Sequence, residues 1–389
     1  MSLKVAVITS TRAEYGLFFP LIQELKKDSY FNVQIIVTGT HLLKEYGDTI
    51  QYIREDGIAI AHCIPIMKSG KQNVNTVISK AITAFDAVYT HESYDAIIVL
   101  GDRYELYGFC IPALMNQIPI IHIHGGEKTE GAIDESIRHS ITKMAALHFP
   151  SIYEYAKRII QMGENPKYVY PVGALGVDNI MHLKPIKQRE LEQEFSVNFN
   201  TEIAVVTFHP VTLGTIDEVK AQAEEVFEAL VESGMTCIVT MPNSDTGGDV
   251  ANQVIQTYVE KYKPQFIYRK SLGQRRYLSV LRYAKMVIGN SSSGILEVPS
   301  FGIPTIDIGD RQQGRFAPRT VIHCECVKCD IQKAIKKGKS EEFLDEIKGY
   351  ESPYGQGNTA STICKILKKV DFKNENIRKK KFCDIEFGE

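Results

Sequence analysis

The chain has 389 residues, too many for one ordinary hydrophobic core, so two domains of similar size are expected. Hydrophobic residues make up 44% and charged residues 24% of the sequence, which is typical of a soluble globular protein and excludes a disordered or fibrous one. A formal net charge of −2 gives no reason to expect a nucleic acid or membrane partner, and no apolar run reaches the ~20 residues that span a bilayer, so we expect a cytoplasmic protein.

Short β-rich runs alternate with amphipathic segments of helix length along the chain. Alternation of this kind predicts a parallel sheet with helices on both faces. The first predicted strands are Lys4–Thr9, Val33–Thr38, Asp95–Leu100, Pro119–His124 and Leu147–Pro150. After a polar stretch near residues 176–200 the pattern restarts, with predicted strands Glu202–Phe208, Met235–Met241, Met286–Gly289 and Thr305–Ile308.

This pattern predicts an α/β fold of two Rossmann-like αβα domains that face an interdomain cleft. We place the first domain at residues 1–175, the second at residues 176–370 and a C-terminal tail at residues 371–389. In open α/β sheets, ligands bind beyond the carboxyl ends of the strands. The residues that follow each strand are therefore the first candidates for function.

The segment Gly289–Gly294 carries three serines between two glycines and opens a predicted helix that contains Glu297. Serine hydroxyls and free helix N–H groups at such a position bind phosphate. An ordinary serine N-cap is the alternative, but three hydroxyls at the end of a strand favour phosphate. Further on, Asp310–Arg315 also follows a predicted strand; its arginines suit phosphate oxygens, and spacing alone leaves a solvated loop equally open.

Three other patterns resemble cofactor or metal sites, but the residues around them argue against that function. Gly355–Ala360 matches the dinucleotide fingerprint G-x-G-x-x-A, but no strand precedes it, so we predict a loop leading into a helix and no NAD site. His122 and His124 share one face of a predicted strand, with Glu127 as a possible third metal ligand, yet a structural or acid–base role is favoured. The cluster His323–Cys329 lacks a second Cys-x-x-Cys pair and alternates like a strand, so no metal is predicted there.

Asp134 and Arg138 stand four residues apart in the next predicted helix. Side chains at this spacing share a helix face, so spacing alone favours a surface ion pair that stabilises the helix by only ~0.3–0.5 kcal/mol. The same helix nevertheless follows a predicted strand, where ligands bind in this fold class.

Several segments, taken in chain order, form a specific combination. They are Thr11–Gly16, Gly101–Arg103, Gly125–Glu127, Ile133–His139, Thr207–Thr212, Gly289–Gly302 and Lys380–Cys383. Together they resemble the UDP-N-acetylglucosamine 2-epimerases over essentially the whole chain, and within that family the hydrolysing branch that serves sialic-acid-type sugar biosynthesis. The resemblance implies the two-domain GT-B-like architecture of many glycosyltransferases, with UDP bound mainly by the second domain.

The resemblance also implies roles for individual residues. Those that fall where the family holds the UDP part of its substrate are Arg12, Ala13, Arg103, His209, Asn243, Ser291, Ser292, Glu297 and Arg311. Those that fall where it places acid–base and substrate-orienting groups are Asp102, His124, Asp134, Glu135, Arg138 and His209. His124 stands where many relatives carry a glutamate.

The implied reaction converts UDP-N-acetylglucosamine and water to UDP and N-acetylmannosamine. Elimination of UDP leaves a 2-acetamidoglucal, water then adds with inversion at C2, and no redox cofactor is needed because no keto sugar forms. Removing and returning the C2 proton on opposite faces requires at least two acid–base groups. The expected partners are the UDP-sugar and UDP, and a homodimer or homotetramer is expected.

The first loop favours hydrolysis over reversible epimerisation. Reversible relatives resemble Thr-Arg-Pro-Glu-Ala-Ile-Lys there, whereas this chain has Leu17 in place of the lysine. A lysine beside the phosphates would help retain UDP, so that it adds back to the glucal. Without that cation, we expect water to capture the intermediate.

Three alternatives remain open. The sugar could instead be UDP-2,4-diacetamido-2,4,6-trideoxyglucose, as in the legionaminic acid pathway. A glycosyltransferase of the same architecture would use the same UDP pocket, but it needs an acceptor-binding apolar or basic face, and the sequence shows no such patch. A UDP-sugar sensor without catalytic activity has no need of several titratable groups around the sugar.

Overall fold

The structure of the protein is a computed structural model that describes residues 2–70, 72–129, 133–210, 215–242 and 248–385. The chain forms two compact units, one of Met1–Asn179 with Tyr354–Glu389 and one of Ile180–Pro353. The first boundary lies close to the expected one. The second differs from the expectation, because residues 354–370 belong to the first unit and not to the second domain.

The first unit is built on a six-stranded sheet in which every pairing is parallel. Its strands are β1 (Leu3–Thr9), β2 (Phe31–Thr38), β3 (Ile60–Ile64), β4 (Ala96–Leu100), β5 (Ile120–Ile123) and β6 (Leu147–Phe149). They lie in the order β3-β2-β1-β4-β5-β6. The order reverses between β1 and β4, which is the switch point where Rossmann-like sheets bind ligands.

The second unit repeats this topology. Its strands are β7 (Ile203–Thr207), β8 (Thr236–Thr240), β9 (Phe266–Arg269), β10 (Met286–Gly289), β11 (Thr305–Ile308) and β12 (Val321–Cys324). They form a parallel six-stranded sheet in the order β12-β11-β10-β7-β8-β9, so the switch point lies between β7 and β10. Two sheets of this kind confirm the predicted pair of Rossmann-like domains.

Helices connect the strands in both units. In chain order they are α1 (Arg12–Lys27), α2 (Ile50–Glu55), α3 (Val74–His91), α4 (Glu105–Met115), α5 (Ile133–Met144), α6 (Tyr153–Gln161), α7 (Leu175–His182), α8 (Gln188–Phe195), α9 (Ile216–Ser233), α10 (Gly248–Lys261), α11 (Gly273–Leu281), α12 (Ser293–Leu296), α13 (Lys328–Lys339), α14 (Glu341–Ile347), α15 (Thr359–Leu367) and α16 (Glu375–Arg378). None of these helices, over the described ranges, has both the length and the apolar character to cross a membrane.

The central strands are apolar and buried at almost every position, as expected of parallel strands covered by helices on both faces. The predicted strands include these but not β3, β9 or β12. All three lie at the edge of their sheets. Their residues are only partly buried, so they lack the continuous apolar run by which a central strand is recognised.

The C-terminal segment packs on the first unit through α15. Ile363 and Leu367 are fully buried in the same core as residues of α1 and β1. The amides of Thr359 and Ala360 donate hydrogen bonds of 3.0 and 2.7 Å to the carboxylate of Asp178, which neutralises the positive end of the helix. Gly355–Ala360 therefore leads into a helix as predicted, but in the first unit.

Candidate active site

Three neighbouring strands of the first unit end beside one another. β4 pairs with β1 on one side and with β5 on the other. Asp102 follows β4, His124 follows β5, and the next helix, α5, begins with Asp134 and Glu135. Because parallel strands share one carboxyl edge, the predicted catalytic residues of this unit lie along that edge.

Arg138 connects the segments along this edge. Its side chain is only 1% exposed, and its Nη2 donates to the carboxylate of Asp102 and, at 2.8 Å, to Oγ1 of Thr129. Its Nη1 donates to Oε2 of Glu135 at 2.8 Å and to the main-chain oxygen of Glu127 at 2.9 Å. Since the guanidinium presents its donors in a rigid fork, this one side chain fixes three chain segments in one arrangement.

The spacing of Asp134 and Arg138 favoured a surface ion pair, and that interpretation is wrong. Arg138 is buried, and its ion pairs join it to Asp102 and Glu135. A buried charge is tolerated only where partners satisfy it, and here two carboxylates do so. Helix periodicity could not show this, because Asp102 comes from the end of a different element.

Asp134 and Glu135 are adjacent in sequence, but their pKa values shift in opposite directions. Burial raises the pKa of Asp134, and the charge of Asp102 raises it further. Burial also opposes the ionisation of Glu135, but the hydrogen bond from the Thr129 amide and the charge of Arg138 help to outweigh it and lower its pKa. Pairs of groups whose environments push their pKa values apart suit different roles. Asp134 is suited to proton transfer, and Glu135 to holding Arg138.

The two histidines near the end of β5 lie in different environments. His122 is fully buried, with Nε2 2.8 Å from the main-chain oxygen of Gly101 and Nδ1 3.2 Å from Oγ1 of Thr142. Burial lowers its pKa to about 3, so the ring is neutral and supports the β4 loop. His124 has a φ of 61°, which is uncommon for a residue other than glycine, and its Nδ1 lies 3.5 Å from Oε1 of Glu127.

The start of α1 presents two of the predicted UDP contacts. Thr11 and Glu14 form a capping box that fixes the first turn. Arg12 and Ala13 are exposed on that turn. The guanidinium of Arg12 lies 4.6 Å from the centre of the Tyr52 ring, a cation–π distance. The first turn is thus rigid, while the two predicted contacts remain accessible to a ligand.

Arg103, another predicted UDP contact, lies at the start of the loop between β4 and α4. Its Nη2 is 2.6 Å from Oε1 of Glu105, whose side chain is completely buried. Glu14 also lies in this neighbourhood, and burial raises its pKa to about 7 in spite of hydrogen bonds from Ser10 and the charge of Arg103. Arg103 is therefore oriented by a buried carboxylate and is itself 40% exposed.

In the second unit, Asn290 joins His209 to the segment Gly289–Gly294, which we call the serine loop. Its Oδ1 accepts a 2.7 Å hydrogen bond from the His209 amide, and its Nδ2 donates at 2.8 Å to the His209 carbonyl. The main-chain oxygen of Asn290 accepts from Arg311 Nη1 at 3.2 Å and from Gln312 Nε2 at 2.9 Å. The ends of β7 and β10 and the Asp310–Gln312 turn are thereby tied together.

The serine loop leaves β10 in a conformation that needs glycine. Gly289 has a φ of 139°, and a Cβ there would lie 2.0 Å from the Thr207 carbonyl oxygen. Ser291 and Ser292 follow, both half-exposed, and within the described chain Ser292 forms no side-chain cap on α12. The simple N-cap alternative is therefore not what the structure shows, and the hydroxyls remain available to a ligand.

Glu297, the last predicted UDP contact of this loop, is hydrogen-bonded to Ser293 in a partly buried group of side chains. Ser293 Oγ donates to its Oε2 at 2.6 Å and also lies 2.6 Å from the hydroxyl of Tyr277. Burial raises the pKa of Glu297, and the bond from Ser293 opposes that rise. The carboxylate is therefore held in one orientation.

The structure brings Asp102, Glu135 and Arg138 into direct contact in the first unit, and it links His209 and Arg311 through Asn290 in the second. The predicted UDP contact Asn243 lies outside the described residues, as do residues 211 and 212 of the Thr207–Thr212 motif. The roles of Asn290, Gln312 and Thr129 were not predicted from the sequence. Asn290 stood inside a quoted motif, but its partner lies 81 positions away, so no local pattern showed the pairing.

Two places in the sequence carry residue types that can ligate a metal. Across the described ranges, no three or more His, Cys, Asp and Glu side chains group together so that they could hold a metal ion. His122 bonds to Gly101 and Thr142, and His323 Nδ1 lies 3.2 Å from Oδ2 of Asp307. His122 and His323 therefore both have partners within the protein.

Known proteins similar to the chain share most of its length. A polysialic acid biosynthesis protein, P7, from Escherichia coli is 37% identical over 393 residues, which cover 98% of this chain and 97% of that protein. The GDP/UDP-N,N'-diacetylbacillosamine 2-epimerase (hydrolyzing) of Campylobacter jejuni is 36% identical over 345 residues, covering 87% of this chain and 88% of that protein. Both similarities extend over the two units.

Solved structures show the same fold at lower identity. The crystal structure of UDP-GlcNAc 2-epimerase from Neisseria meningitidis, bound to UDP-GlcNAc, superposes with a TM-score of 0.80 at 19% identity, covering 95% of this chain and all of that one. Residues 23–368 match the family described as UDP-N-acetylglucosamine 2-epimerase. With the fold, the strand-end residues and the relatives in agreement, the chain belongs to the UDP-N-acetylglucosamine 2-epimerase family.

Proposed function

We propose that the protein is a hydrolysing UDP-sugar 2-epimerase that converts UDP-N-acetylglucosamine and water to UDP and N-acetylmannosamine. The observation that carries the proposal is the cluster at the ends of β4 and β5, where buried Arg138 bridges Asp102 and Glu135 beside Asp134. Several titratable groups at a ligand-binding sheet edge, one with a raised pKa, are what proton transfer requires.

The elimination step removes a proton from C2 and breaks the C1–O bond. The electrons of the C2–H bond form the C1–C2 double bond, and UDP departs with the electrons of the C1–O bond. In the second step, water supplies hydroxyl to C1, and a proton reaches C2 from the opposite face. We assign these proton transfers to Asp102 and Asp134, with His124 as the further acid–base candidate. Glu135 and Arg138 position them.

The departing diphosphate needs preorganised donors. We assign this task in the second unit to Ser291, Ser292, His209 and Arg311, with Glu297 also on the UDP part. Support comes from Asn290, which ties the His209 backbone to the serine loop and to the Arg311 turn. Arg12, Ala13 and Arg103 are assigned to the same part of the substrate from the first unit.

The first helix supports hydrolysis over reversible epimerisation. Leu17, which stands where reversible relatives have a lysine, packs against the core of the first unit. A leucine in that environment offers no cation to retain UDP beside the glucal. Water then captures the intermediate. The C. jejuni relative, whose name includes "hydrolyzing", agrees with this outcome.

A second substrate has a specific observation in its favour. The C. jejuni relative is named for diacetylbacillosamine and is nearly as similar to this chain as the E. coli polysialic acid protein. UDP-2,4-diacetamido-2,4,6-trideoxyglucose is therefore the alternative substrate. The two sugars differ at C4 and C6, so side-by-side measurement of kcat/KM with each one decides between them.

One experiment tests both the reaction and its type. The protein is incubated with UDP-N-acetylglucosamine in deuterium oxide and, separately, in ¹⁸O-water, and the products are followed by proton NMR and mass spectrometry. We expect UDP and free N-acetylmannosamine, with one deuteron at C2 and ¹⁸O at C1. Accumulation of intact UDP-N-acetylmannosamine would place the protein in the reversible branch. No release of UDP without an added acceptor would favour a glycosyltransferase or a sensor.

A further inference from the structure

A small cavity lies in the first unit beside the C-terminal tail. Its volume is about 270 Å³, and its charged lining consists of Glu164, Lys167, Lys379, Lys380 and Lys381. We call it the tail cavity. None of these residues belongs to the proposed active site, and the motif Lys380–Cys383 has no role in the proposed reaction.

The lining of the tail cavity is strongly positive. Four lysines and one glutamate give it a formal excess of three positive charges, on a chain whose net charge is −2. Asn165 and Asn376 also contribute to the wall, and amide groups can donate hydrogen bonds. A concave site with one sign of charge concentrates ligands of the opposite sign.

The cavity lining has a single carboxylate, that of Glu164, and both of its oxygens already have partners. Glu164 is 3% exposed; its Oε1 lies 2.6 Å from Lys143 Nζ, and its Oε2 lies 2.7 Å from Lys380 Nζ and 3.0 Å from His148 Nε2. Burial opposes its ionisation, but these hydrogen bonds lower its pKa to about 2. It remains an anion at neutral pH and is committed to partners other than Lys167 and Lys381.

The other lysines differ in how well they are neutralised. Lys379 Nζ pairs with Glu375 at 2.6 Å, a contact between exposed groups. Lys167 and Lys381 form no ion pair with any carboxylate in the described parts of the chain. Two ammonium groups at the cavity wall therefore lack a counter-charge from the protein.

The tail is held in place, so the cavity is a formed site. Lys380 Nζ donates at 2.7 Å to the carbonyl of Lys143 and at 2.5 Å to that of Ala145. The Cys383 amide donates at 3.0 Å to the Gly163 carbonyl. The Phe382 ring lies against Gly163, where a Cβ would approach it to 2.3 Å. These contacts fix Lys380 and hold the tail beside the cavity.

We propose that the tail cavity binds a small multivalent oxyanion, such as a molecule with two phosphate groups, between Lys167 and Lys381. The volume suits a small molecule and is too small for a nucleic acid or a membrane surface. A bound anion would bridge the Glu164–Tyr168 segment and the tail and so strengthen the attachment of the tail. The site does not depend on the proposed catalytic function.

Calorimetry with pyrophosphate tests the proposal. The intact protein is first saturated with UDP, so that the nucleotide site is filled and the titration reports other sites. We expect saturable binding of one pyrophosphate, and at least a tenfold weaker affinity in the double variant Lys167→Ala/Lys381→Ala. The double variant Lys26→Ala/Lys336→Ala removes two exposed lysines elsewhere and should bind like the wild type.

Hydrogen exchange gives a second readout in the same samples. Pyrophosphate should slow exchange at the Cys383 amide in the wild type and leave it unchanged in the Lys167→Ala/Lys381→Ala variant. The proposal is overturned if the wild type shows no saturable binding, or if both double variants bind pyrophosphate equally well. Equal weakening of the two variants would indicate nonspecific attraction to positive charge, and this outcome would also overturn it.

Discussion

Arg138 donates a hydrogen bond from its Nη2 to the carboxylate of Asp102, although the two residues are 36 positions apart. Asp102 lies in the loop that follows β4, and Arg138 lies in the second turn of α5. Because Arg138 also bonds to Glu135 and to the Glu127 main chain, one buried cation fixes the positions of Asp102 and Glu135. Stability and catalysis should therefore depend on it together.

Replacing Arg138 by glutamine should destabilise the first unit. The variant leaves Asp102 and Glu135 close together without their cation, and removing one partner of a buried ion pair costs about 3–5 kcal/mol. Urea unfolding monitored by circular dichroism measures the loss. Arg138→Lys is the matched control, since it keeps the positive charge but not the forked geometry of the guanidinium. It should lose less stability than Arg138→Gln. Equal stability of Arg138→Gln and the wild type would contradict the structural role.

Asp102→Asn and Asp134→Asn should fold, bind UDP and turn over slowly. Loss of a well-placed acid or base lowers turnover by about 10²–10⁴-fold. Glu135→Gln should also lose most turnover, through misplacement of Arg138. Steady-state UDP release, with UDP affinity measured by calorimetry, separates catalysis from binding. Glu154→Gln, an exposed change on α6, is the control. Turnover like that of the wild type removes the altered residue from the proposed machinery.

Arg311→Ala and Ser292→Ala should weaken UDP binding. Charge-assisted hydrogen bonds contribute about 1.5–3 kcal/mol, which corresponds to roughly 10- to 150-fold in Kd. Ser292 carries one hydroxyl, so its loss should fall at the lower end of this range. Calorimetric titration with UDP measures both. Arg282→Ala, an exposed arginine of the same unit, should bind UDP normally. An unchanged Kd in Arg311→Ala refutes its assignment to phosphate.

The contribution of two buried histidines to stability should fall as the pH drops below about 6.5. Burial lowers the pKa of His41 to about 4 and that of His122 to about 3, from an ordinary value of 6.5. The unfolded chain therefore takes up these protons first, and each group reduces the free energy of unfolding by about 1.4 kcal/mol per pH unit below 6.5, until its folded pKa is reached.

Urea midpoints measured between pH 7.5 and about 5 check this dependence. The His122→Gln variant removes one of the titrating groups, so its stability should fall less steeply with acid, whatever its absolute stability. His91→Gln, a change at the end of α3, should retain the slope of the wild type. A slope in His122→Gln that equals the wild-type slope would show that His122 takes up protons equally in both states.

Gly289→Ala should destabilise the second unit and impair UDP binding. The added Cβ would lie 2.0 Å from the Thr207 carbonyl, and the φ of 139° is unfavourable for alanine. Backbone strain and overpacking together cost about 3 kcal/mol. Gly234→Ala also has a positive φ but meets no atom within 4 Å, so its cost should be about 1 kcal/mol. Thermal melts of the two variants separate the cost of the clash from the cost of the backbone strain. Equal losses of stability would show that the clash at Gly289 contributes nothing.

The sequence by itself determined the two Rossmann-like sheets, because their central strands must be apolar on both faces and must alternate with amphipathic helices. It also placed Asp102, His124 and the serine loop at strand ends, where parallel sheets bind ligands. The edge strands β3, β9 and β12 were not predicted, since partial exposure removes the apolar run. The assignment of α15 to the first unit depended on long-range packing and on Asp178, which no local pattern reveals.

Tertiary structure alone decided how the predicted residues act on one another. Asp134 and Arg138 have the spacing of a surface ion pair, yet burial directed Arg138 to Asp102 and Glu135. Asn290 bonds to the backbone of His209, which follows a neighbouring strand. Local sequence specifies which residues lie on a strand end or a helix face, but desolvation and hydrogen-bond partners depend on what other elements bring to the same place. Desolvation and hydrogen-bond partners, and not the residue types, therefore give Asp134 a raised pKa and Glu135 a lowered one.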